Sequence, residues 1–474
     1  MTGPIADPAS FRDPAGRVYR VGDRILRTVS ERIAAEFEQV RASGLIDDLI
    51  ERSWLVPGET ADPARLDGLA GPLAEGVHAV IEHPCLPFVS YPYEWGFSQL
   101  KAAALLHLDI HLAALERGVT LCDASAYNVQ FIGARPLFID LLSFRPYRDG
   151  QFWGGYRQFC EQFLNPLLLH ACCGVPHNAW FRGRIAGIPS AELSRLIPLR
   201  RRLSKRVLTH VVLHAALTRS VHKPETELTT DAKQAGLPRP RLVKMLSGLK
   251  SWIGNLTPAG GAASYWDDYS RFKTYSDAET AAKHDFVRRF AAAVRPGLLW
   301  DLGCNTGDFA LTAIDGGADY VVGWDNDLGA LEIAFARSRD SGARFTPLYG
   351  DACDPAPAQG WAERERAGWR GRGPADAVLA LALVHHLAIT NNVPLAAVVS
   401  WLVELAPCGV VEFVGKADSQ VQGMLRLRDD IFPDYTLESF LTLLGGRARI
   451  VERLSLSPGG RELLWYDARH RPAG

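Results

Sequence analysis

This chain lacks the features by which composition alone places a protein in a membrane, outside the cell or on a nucleic acid. No stretch of it approaches the ~18 unbroken apolar residues of a membrane-crossing helix. The opening Met1-Thr-Gly-Pro-Ile-Ala-Asp7 has neither the basic nor the apolar segment of a secretory leader, so a cytoplasmic protein with no membrane partner is expected. Its eight cysteines form no Cys-x-x-Cys pair and no metal-ligand spacing, and are read as reduced thiols. A formal net charge of −1 exerts no global pull on nucleic acid, so that partner is not expected either. What remains, 47% hydrophobic and 22% charged over 474 residues, is an ordinary globular composition of a length that calls for two or three domains.

The informative stretch is Leu298-Leu-Trp-Asp-Leu-Gly-Cys-Asn-Thr-Gly-Asp308. A short apolar strand there ends in an acid and a glycine-punctuated turn that opens a helix. Gly303 and Gly307 omit the Cβ atoms that would keep a ligand off the backbone, and the helix-opening N–H groups point into the same crevice. A second strand, Tyr320 to Trp324, ends in Asp325, where a doubly wound fold places the carboxylate that accepts ribose hydroxyls. A third, 344–350, is followed by Asp351, and a fourth, 376–383, runs into His385 and His386. Ligands of open parallel sheets sit outside the carboxyl ends of the strands, so these polar residues should ring one crevice. No Lys follows the glycines, which excludes a phosphate-cradling Walker loop, and Asn305 replaces the middle glycine of a dinucleotide fingerprint. A cofactor without a pyrophosphate fits better.

With Asp301, Gly303, Asn305 and Gly307 followed by Asp325, Asp351 and the His pair, the chain resembles the class I S-adenosylmethionine-dependent methyltransferases over residues 262–474. The resemblance implies an α/β fold, a doubly wound Rossmann-like sheet with a closing antiparallel hairpin. The strands expected at 410–414, 448–454 and 462–466 match that ending. It implies S-adenosyl-L-methionine as cofactor, with Asp301 and Gly303 facing its methionine part, Asp325 holding its ribose and Asp351 its adenine amino group. Asp351 has a second reading, as the cap of a short helix after it. His386, or else His385, is the candidate general base for methyl transfer to an oxygen or nitrogen, since a neutral imidazole takes a proton near pH 7. Both histidines are equally readable as walls of the pocket. Glu412 and Lys416 are read as groups that orient the acceptor or as a solvated loop. The acceptor is unidentified, with a glycan or small metabolite favoured.

Residues 1–220 carry a second signal. Asp123, then Asn128, a turn at Gly133 and Asp140 resemble the catalytic loop and metal-binding acid of the protein-kinase fold, in which Asn and the later Asp hold Mg²⁺. No Gly-rich loop or Val-Ala-Ile-Lys strand precedes them; the best cations are Arg24 and Arg27, ahead of a helix containing Glu36. A degenerate kinase-like domain over 1–220 is therefore expected ahead of a linker over 221–261, with a helix at 241–253 as connector. The order of the two parts resembles nodulation-protein-like methyltransferases. A bifunctional kinase–methyltransferase, an RNA or protein methyltransferase and a non-catalytic cofactor-binding protein are the alternatives. Tyr265, Trp266 and Tyr269 are read as a lid over the cofactor or as core filling, and the basic run from Arg195 to Arg206 as a solvated face or an RNA or phosphate contact.

Overall fold

The computed structural model describes residues 5–61, 76–216, 236–259, 276–426, 428–457 and 460–469. The aromatic lid candidates Tyr265, Trp266 and Tyr269, and the polar stretch 221–235, lie outside the described residues. Two compact units emerge, one from residues 1–131, 135–262 and 360–366, the other from 132–134, 263–359 and 367–474.

The first unit opens with an antiparallel sheet of β1 (Ile5–Ala6), β2 (Val18–Val21), β3 (Arg24–Ser30), β4 (Glu59–Ala61) and β5 (Val77–Pro84), in the order β1-β2-β3-β5-β4. Helix α1 (Ala34–Ala42) follows β3. The long helix α2 (Phe97–Glu116) is apolar nearly all round, which marks a helix that must be enclosed, and Leu100, Ala104, Leu108 and Ile110 are buried. After it come β6 (Val119–Leu121), β7 (Val129–Ile132), β8 (Arg135–Phe138) and β9 (Phe144–Pro146), pairing as β6 with β9 and β7 with β8. Helix α3 (Arg239–Gly254), the stretch read as a connector, packs against α2 and buries Leu242, Leu246, Leu249 and Ile253. An ion pair from Lys250 to Asp109 of α2 adds to that contact, so the helix belongs to the first unit.

The second unit begins with α4 (Asp277–Val294), whose first turn is closed by a capping box between Ser276 and Glu279. Strands and helices then alternate: β10 (Leu298–Leu302), α5 (Asp308–Asp315), β11 (Tyr320–Asp325), α6 (Leu328–Ser341), β12 (Phe345–Tyr349), β13 (Ala377–Ala380), α7 (Leu395–Leu405) and β14 (Cys408–Val414). Helix α8 (Leu437–Gly445) leads into β15 (Arg449–Ser457) and β16 (Arg461–Asp467). The sheet order is β12-β11-β10-β13-β14-β16-β15, parallel through the first five strands, with β16 antiparallel to both β14 and β15. This is a doubly wound, Rossmann-like sheet with a closing antiparallel hairpin, as expected.

Strand alternation explains the layers. Leu299, Val321, Phe345, Leu379, Val410 and Leu463 share one core with Phe286, Val287 and Phe290 of α4 and with apolar residues of α5 and α6. Because β10 is flanked by β11 on one side and β13 on the other, the chain order reverses there, the switch point outside whose strand ends ligands of such sheets bind. One boundary differs from expectation. The fourth strand stops at Ala380 rather than Leu383, since Ala382 takes a left-handed backbone (φ 50°) that a strand cannot continue.

Candidate cofactor and catalytic site

The turn after β10 is built by three left-handed residues, Gly303 (φ 74°), Asn305 (φ 51°) and Gly307 (φ 84°). Asparagine is among the few side chains that tolerate this region, which explains why it can replace a glycine here. A Cβ on Gly303 would meet only Leu383 at 3.9 Å, so this residue leaves an open cradle in the crevice. At Gly307 a Cβ would stand 2.5 Å from the Phe345 ring, so there the glycine serves packing as well. The carbonyl of Trp324 accepts the N–H groups of Gly303 and Cys304 at 2.8 and 3.0 Å, fastening the turn to β11. Arg337 of α6 donates to the Thr306 carbonyl (3.1 Å) and to Asp308 (2.6 Å) and fastens its far side.

Asp325 completes the turn. Its Oδ2 accepts the N–H of Asn305 at 2.8 Å and its Oδ1 that of Asp327 at 2.9 Å, which fixes the carboxylate while leaving each oxygen room for a further donor. Burial pushes its pKa above the ordinary carboxylate value, opposed by those N–H groups. Asp351 is half-exposed, and its Oδ1 accepts the N–H of Cys353 at 2.8 Å; a turn follows it rather than the short helix expected, so one oxygen caps that turn instead.

Asp301 is 2% exposed, and its Oδ2 has no hydrogen-bond partner among the described residues. Burial, and next the charge of Asp325, push its carboxyl up to about 7, with Lys283 opposing. Lys283 does not neutralise it because it is engaged elsewhere. Its ammonium, on α4, lies 2.8 Å from Oε2 of Glu412 and 4.9 Å above the Phe309 ring. Burial pulls the Lys283 pKa down, and Glu412 opposes that. Glu412 is fully buried in β14, and its other oxygen is 3.4 Å from Nη1 of Arg461 on β16. Arg461 reaches Asp418 at 2.8 Å and Gln420 at 3.2 Å in the segment after β14.

The two histidines begin the helical turn that follows β13, with ring centroids 4.4 Å apart, and their environments differ. His385 is fully buried, and burial, followed by His386 and Arg461, drives its pKa down to about 3 against the weaker pull of Asp418 and Gln420. His386 is exposed, and its partial burial lowers its pKa from the ordinary imidazole value. Glu412 is sealed in the ion network rather than facing an acceptor. Lys416 is bound by Asp430 at 2.7 Å and by the Phe432 carbonyl at 2.7 Å.

Lys283, Arg461 and Asp418 belong to this buried ion network, and the sequence motifs did not single them out. A signal existed: Lys283 sits on the apolar stripe of α4 with Phe286, Val287 and Phe290, and Glu412 interrupts an otherwise apolar strand. Charges at buried periodic positions have to find each other.

In the first unit, Asp140 accepts Nη2 of Arg27 at 2.8 Å on Oδ1, and Nδ2 of Asn128 at 3.3 Å and the Ser143 hydroxyl on Oδ2. Arg27 also binds Asp13 at 2.7 Å, whereas Arg24 pairs with Glu82. Asp123 lies close enough to Asp140 to feel its charge, which adds to burial in raising its carboxyl pKa. Both oxygens of Asp140 are thus taken by protein donors, and a cation held by Asp140 and Asn128 would have to displace Arg27. Among the described residues no group of three or more His, Cys, Asp or Glu stands where it could hold a metal ion.

No family model matches the chain. The nodulation protein NoeA of Rhizobium meliloti (strain 1021) is 45% identical over 460 residues, which span 97% of this chain and 95% of that protein. Among solved structures, the N-methyltransferase NodS from Bradyrhizobium japonicum WM9 aligns over 40% of this chain and 97% of its own at 12% identity, with a TM-score of 0.31. Magnesium protoporphyrin IX methyltransferase from Synechocystis PCC 6803 with bound SAH aligns over 43% and 93%, at 18% identity and a TM-score of 0.30. The bifunctional kinase–methyltransferase WbdD aligns over 41% and 40%, at 18% identity and a TM-score of 0.28.

The ion network makes a prediction about stability. Replacing Glu412 by Leu removes the acceptor shared by Lys283 and Arg461 and leaves two buried cations short of a partner, which costs about 3–5 kcal/mol. Urea unfolding should show that loss as a lower midpoint. A change below about 1 kcal/mol would mean that water or Asp418 compensates fully.

Proposed function

The chain belongs to the family of the nodulation protein NoeA, and from that premise we propose that it is an S-adenosyl-L-methionine-dependent methyltransferase of the cytoplasm. Its acceptor is an oxygen or nitrogen of a glycan or small metabolite. The observation that carries the reading is the crevice at the sheet's switch point, where the open cradle at Gly303 adjoins the orphaned carboxylate oxygen of Asp301 and the pre-positioned carboxylate of Asp325. A buried carboxylate without a partner awaits a cation, and the cofactor carries one on its amino acid part. Asp325 would take the ribose hydroxyls, and the free side of Asp351 the adenine amino group.

The bound cofactor would supply a methyl group on a positively charged sulfur. The protein's part is to hold acceptor and methyl in line and to accept the acceptor's proton. His386 suits the role of proton acceptor, because it is exposed toward an incoming acceptor and neutral at pH 7. His385, with its pKa near 3, is too weak a base and serves as a wall of the pocket. In the first unit Arg27 occupies the acid that a kinase-like fold would give to Mg²⁺, so we read residues 1–220 as a kinase-derived scaffold and route no phosphoryl transfer through it.

Three outcomes test this reading. Labelled methyl from S-adenosyl-L-methionine should appear in a glycan or small-metabolite fraction of cell extract. Asp325→Ala should abolish that transfer and weaken cofactor binding by at least tenfold, because it loses two bonds to a charged acceptor worth ~1.5–3 kcal/mol each. A calorimetric affinity within twofold of the parent would remove Asp325 from the site.

The second outcome concerns protons. In the free protein Asp301 holds its proton up to about pH 7, and a bound cation favours its ionised form. Cofactor affinity should therefore rise as pH is raised from about 6 toward 7 and level off above, with proton release during binding. Calorimetry in buffers of different ionisation enthalpy measures that release, and heats independent of buffer would contradict it.

The third concerns His386. His386→Ala should lower turnover by ~10²–10⁴ with cofactor affinity unchanged. The parent rate should fall as pH drops below the ordinary imidazole value, where the base becomes protonated, and the variant should lose that dependence. A variant that binds cofactor poorly but turns over normally at saturation would make His386 a pocket wall.

A further inference from the structure

The net charge of −1 conceals an uneven distribution. Residues 193–216 contain six lysines and arginines, at 195, 200, 201, 202, 205 and 206, and no Asp, Glu, Phe, Trp or Tyr. They fold as short helical turns, Ser190–Leu196, Leu199–Arg202 and Lys205–Val207, continuing into Leu208–Leu213. One side of this segment is anchored: Ile197, Val207 and Val211 are buried, and His214 contacts the Ser190 hydroxyl at 2.9 Å. The other side is unusual. Leu199 and Leu203 are 75% and 83% exposed, and Leu196, Leu208 and Leu213 are exposed beside them. No other stretch among the described residues gathers so many exposed large apolar side chains. Arg195, Arg200, Arg201, Lys205 and Arg206 are exposed and make no ion pair among the described residues, while Arg202 donates to the Ile197 carbonyl.

Exposed leucines held outward by a well-anchored turn, ringed by unpaired cations, are a surface suited by its chemistry to an apolar medium under a layer of negative charge. We propose that residues 195–213 form a peripheral membrane patch that binds bilayers of anionic phospholipid, with Leu199 and Leu203 entering the acyl boundary and the basic groups resting on lipid phosphates. Single-stranded nucleic acid would be served by aromatic stacking platforms, which this stretch lacks. An acidic protein would satisfy the cations but leave no reason for isolated aliphatic points at the crest. Among the described residues no helix is long and apolar enough to cross a membrane, so the attachment is to the surface. The whole-chain charge argues against any membrane partner, but local clustering overrides the average.

The test uses the full chain and sedimentation with vesicles of phosphatidylcholine alone or of phosphatidylcholine containing about one third phosphatidylglycerol. The anionic vesicles should carry the protein down at least tenfold more strongly, and the excess should shrink with salt. A triple variant, Arg200→Gln, Arg201→Gln and Lys205→Gln, should lose at least tenfold of that binding. A double variant, Leu199→Ser and Leu203→Ser, should lose the binding that survives high salt. These side chains are exposed, so both variants should keep the parent's unfolding midpoint, and cofactor titration of each should match the parent. No sedimentation with anionic vesicles, or binding indifferent to both variants, overturns the proposal. So does tighter, variant-sensitive binding to a single-stranded RNA oligomer, or self-association that the leucine variant abolishes while vesicle binding is absent.

Discussion

A carboxylate shut away from water has to be held by cations, and Glu412 is such a carboxylate. It sits in the fully buried fifth parallel strand, with Lys283 from α4 on one oxygen and Arg461 from the antiparallel β16 on the other. Through this single group the helix preceding the cofactor turn, the central sheet and the closing hairpin are tied together. Arg461 extends the tie to Asp418 in the segment after β14. Buried ion pairs contribute little net stability when set against apolar packing of the same shape, but they make displacement of any one member expensive. Their effect is therefore on geometry: the pieces that wall the crevice are held in one arrangement.

The same tie explains why Asp301 is left wanting. Lys283 is the cation whose charge favours the ionised form of Asp301, and Glu412 has claimed it. The result is a buried carboxyl with one oxygen unsatisfied among the described residues and a pKa near neutrality. An unsatisfied buried group costs free energy that a folded protein tolerates only where something repays it. A cationic ligand would repay it here, with the cost recovered as binding energy. Asp325 illustrates the opposite tactic: backbone N–H groups from the turn and from the residues after the strand fix it before any ligand arrives.

Much of the second unit was legible from sequence because its signals are local. Short apolar strands ending in acids, glycines at two left-handed positions and a final pair of strands joined by a turn each constrain their own neighbourhood. Less legible was what happens when the chain leaves a strand. The left-handed Ala382 ends β13 early, so the histidines open a helical turn, where one ring is buried and the other exposed. Adjacent residues of identical type thus acquire different chemistry from burial alone, which no pattern in Val384-His-His-Leu387 announces. The ion network left only a partial trace, in Lys283 and Glu412 at apolar positions, because its members at 283, 412, 418 and 461 meet only through the sheet.

The first unit shows the limit of reading a motif by residue type. Asp123, Asn128 and Asp140 stand at the spacing of a phosphoryl-transfer loop, and the structure brings Asn128 and Asp140 into contact. The arginine from β3, however, decides what that contact can do. A guanidinium is always charged, presents several donors in a fixed fork and is not displaced cheaply from two carboxylates, here Asp13 and Asp140. A lysine at that place would release its acid to a magnesium ion more readily, because it holds it by one compact charge rather than by a fork. The position of Arg27 therefore closes upon itself a trio whose spacing only resembles that of a metal-binding loop. The sequence showed which residues were present, but only the arrangement shows that they already satisfy one another.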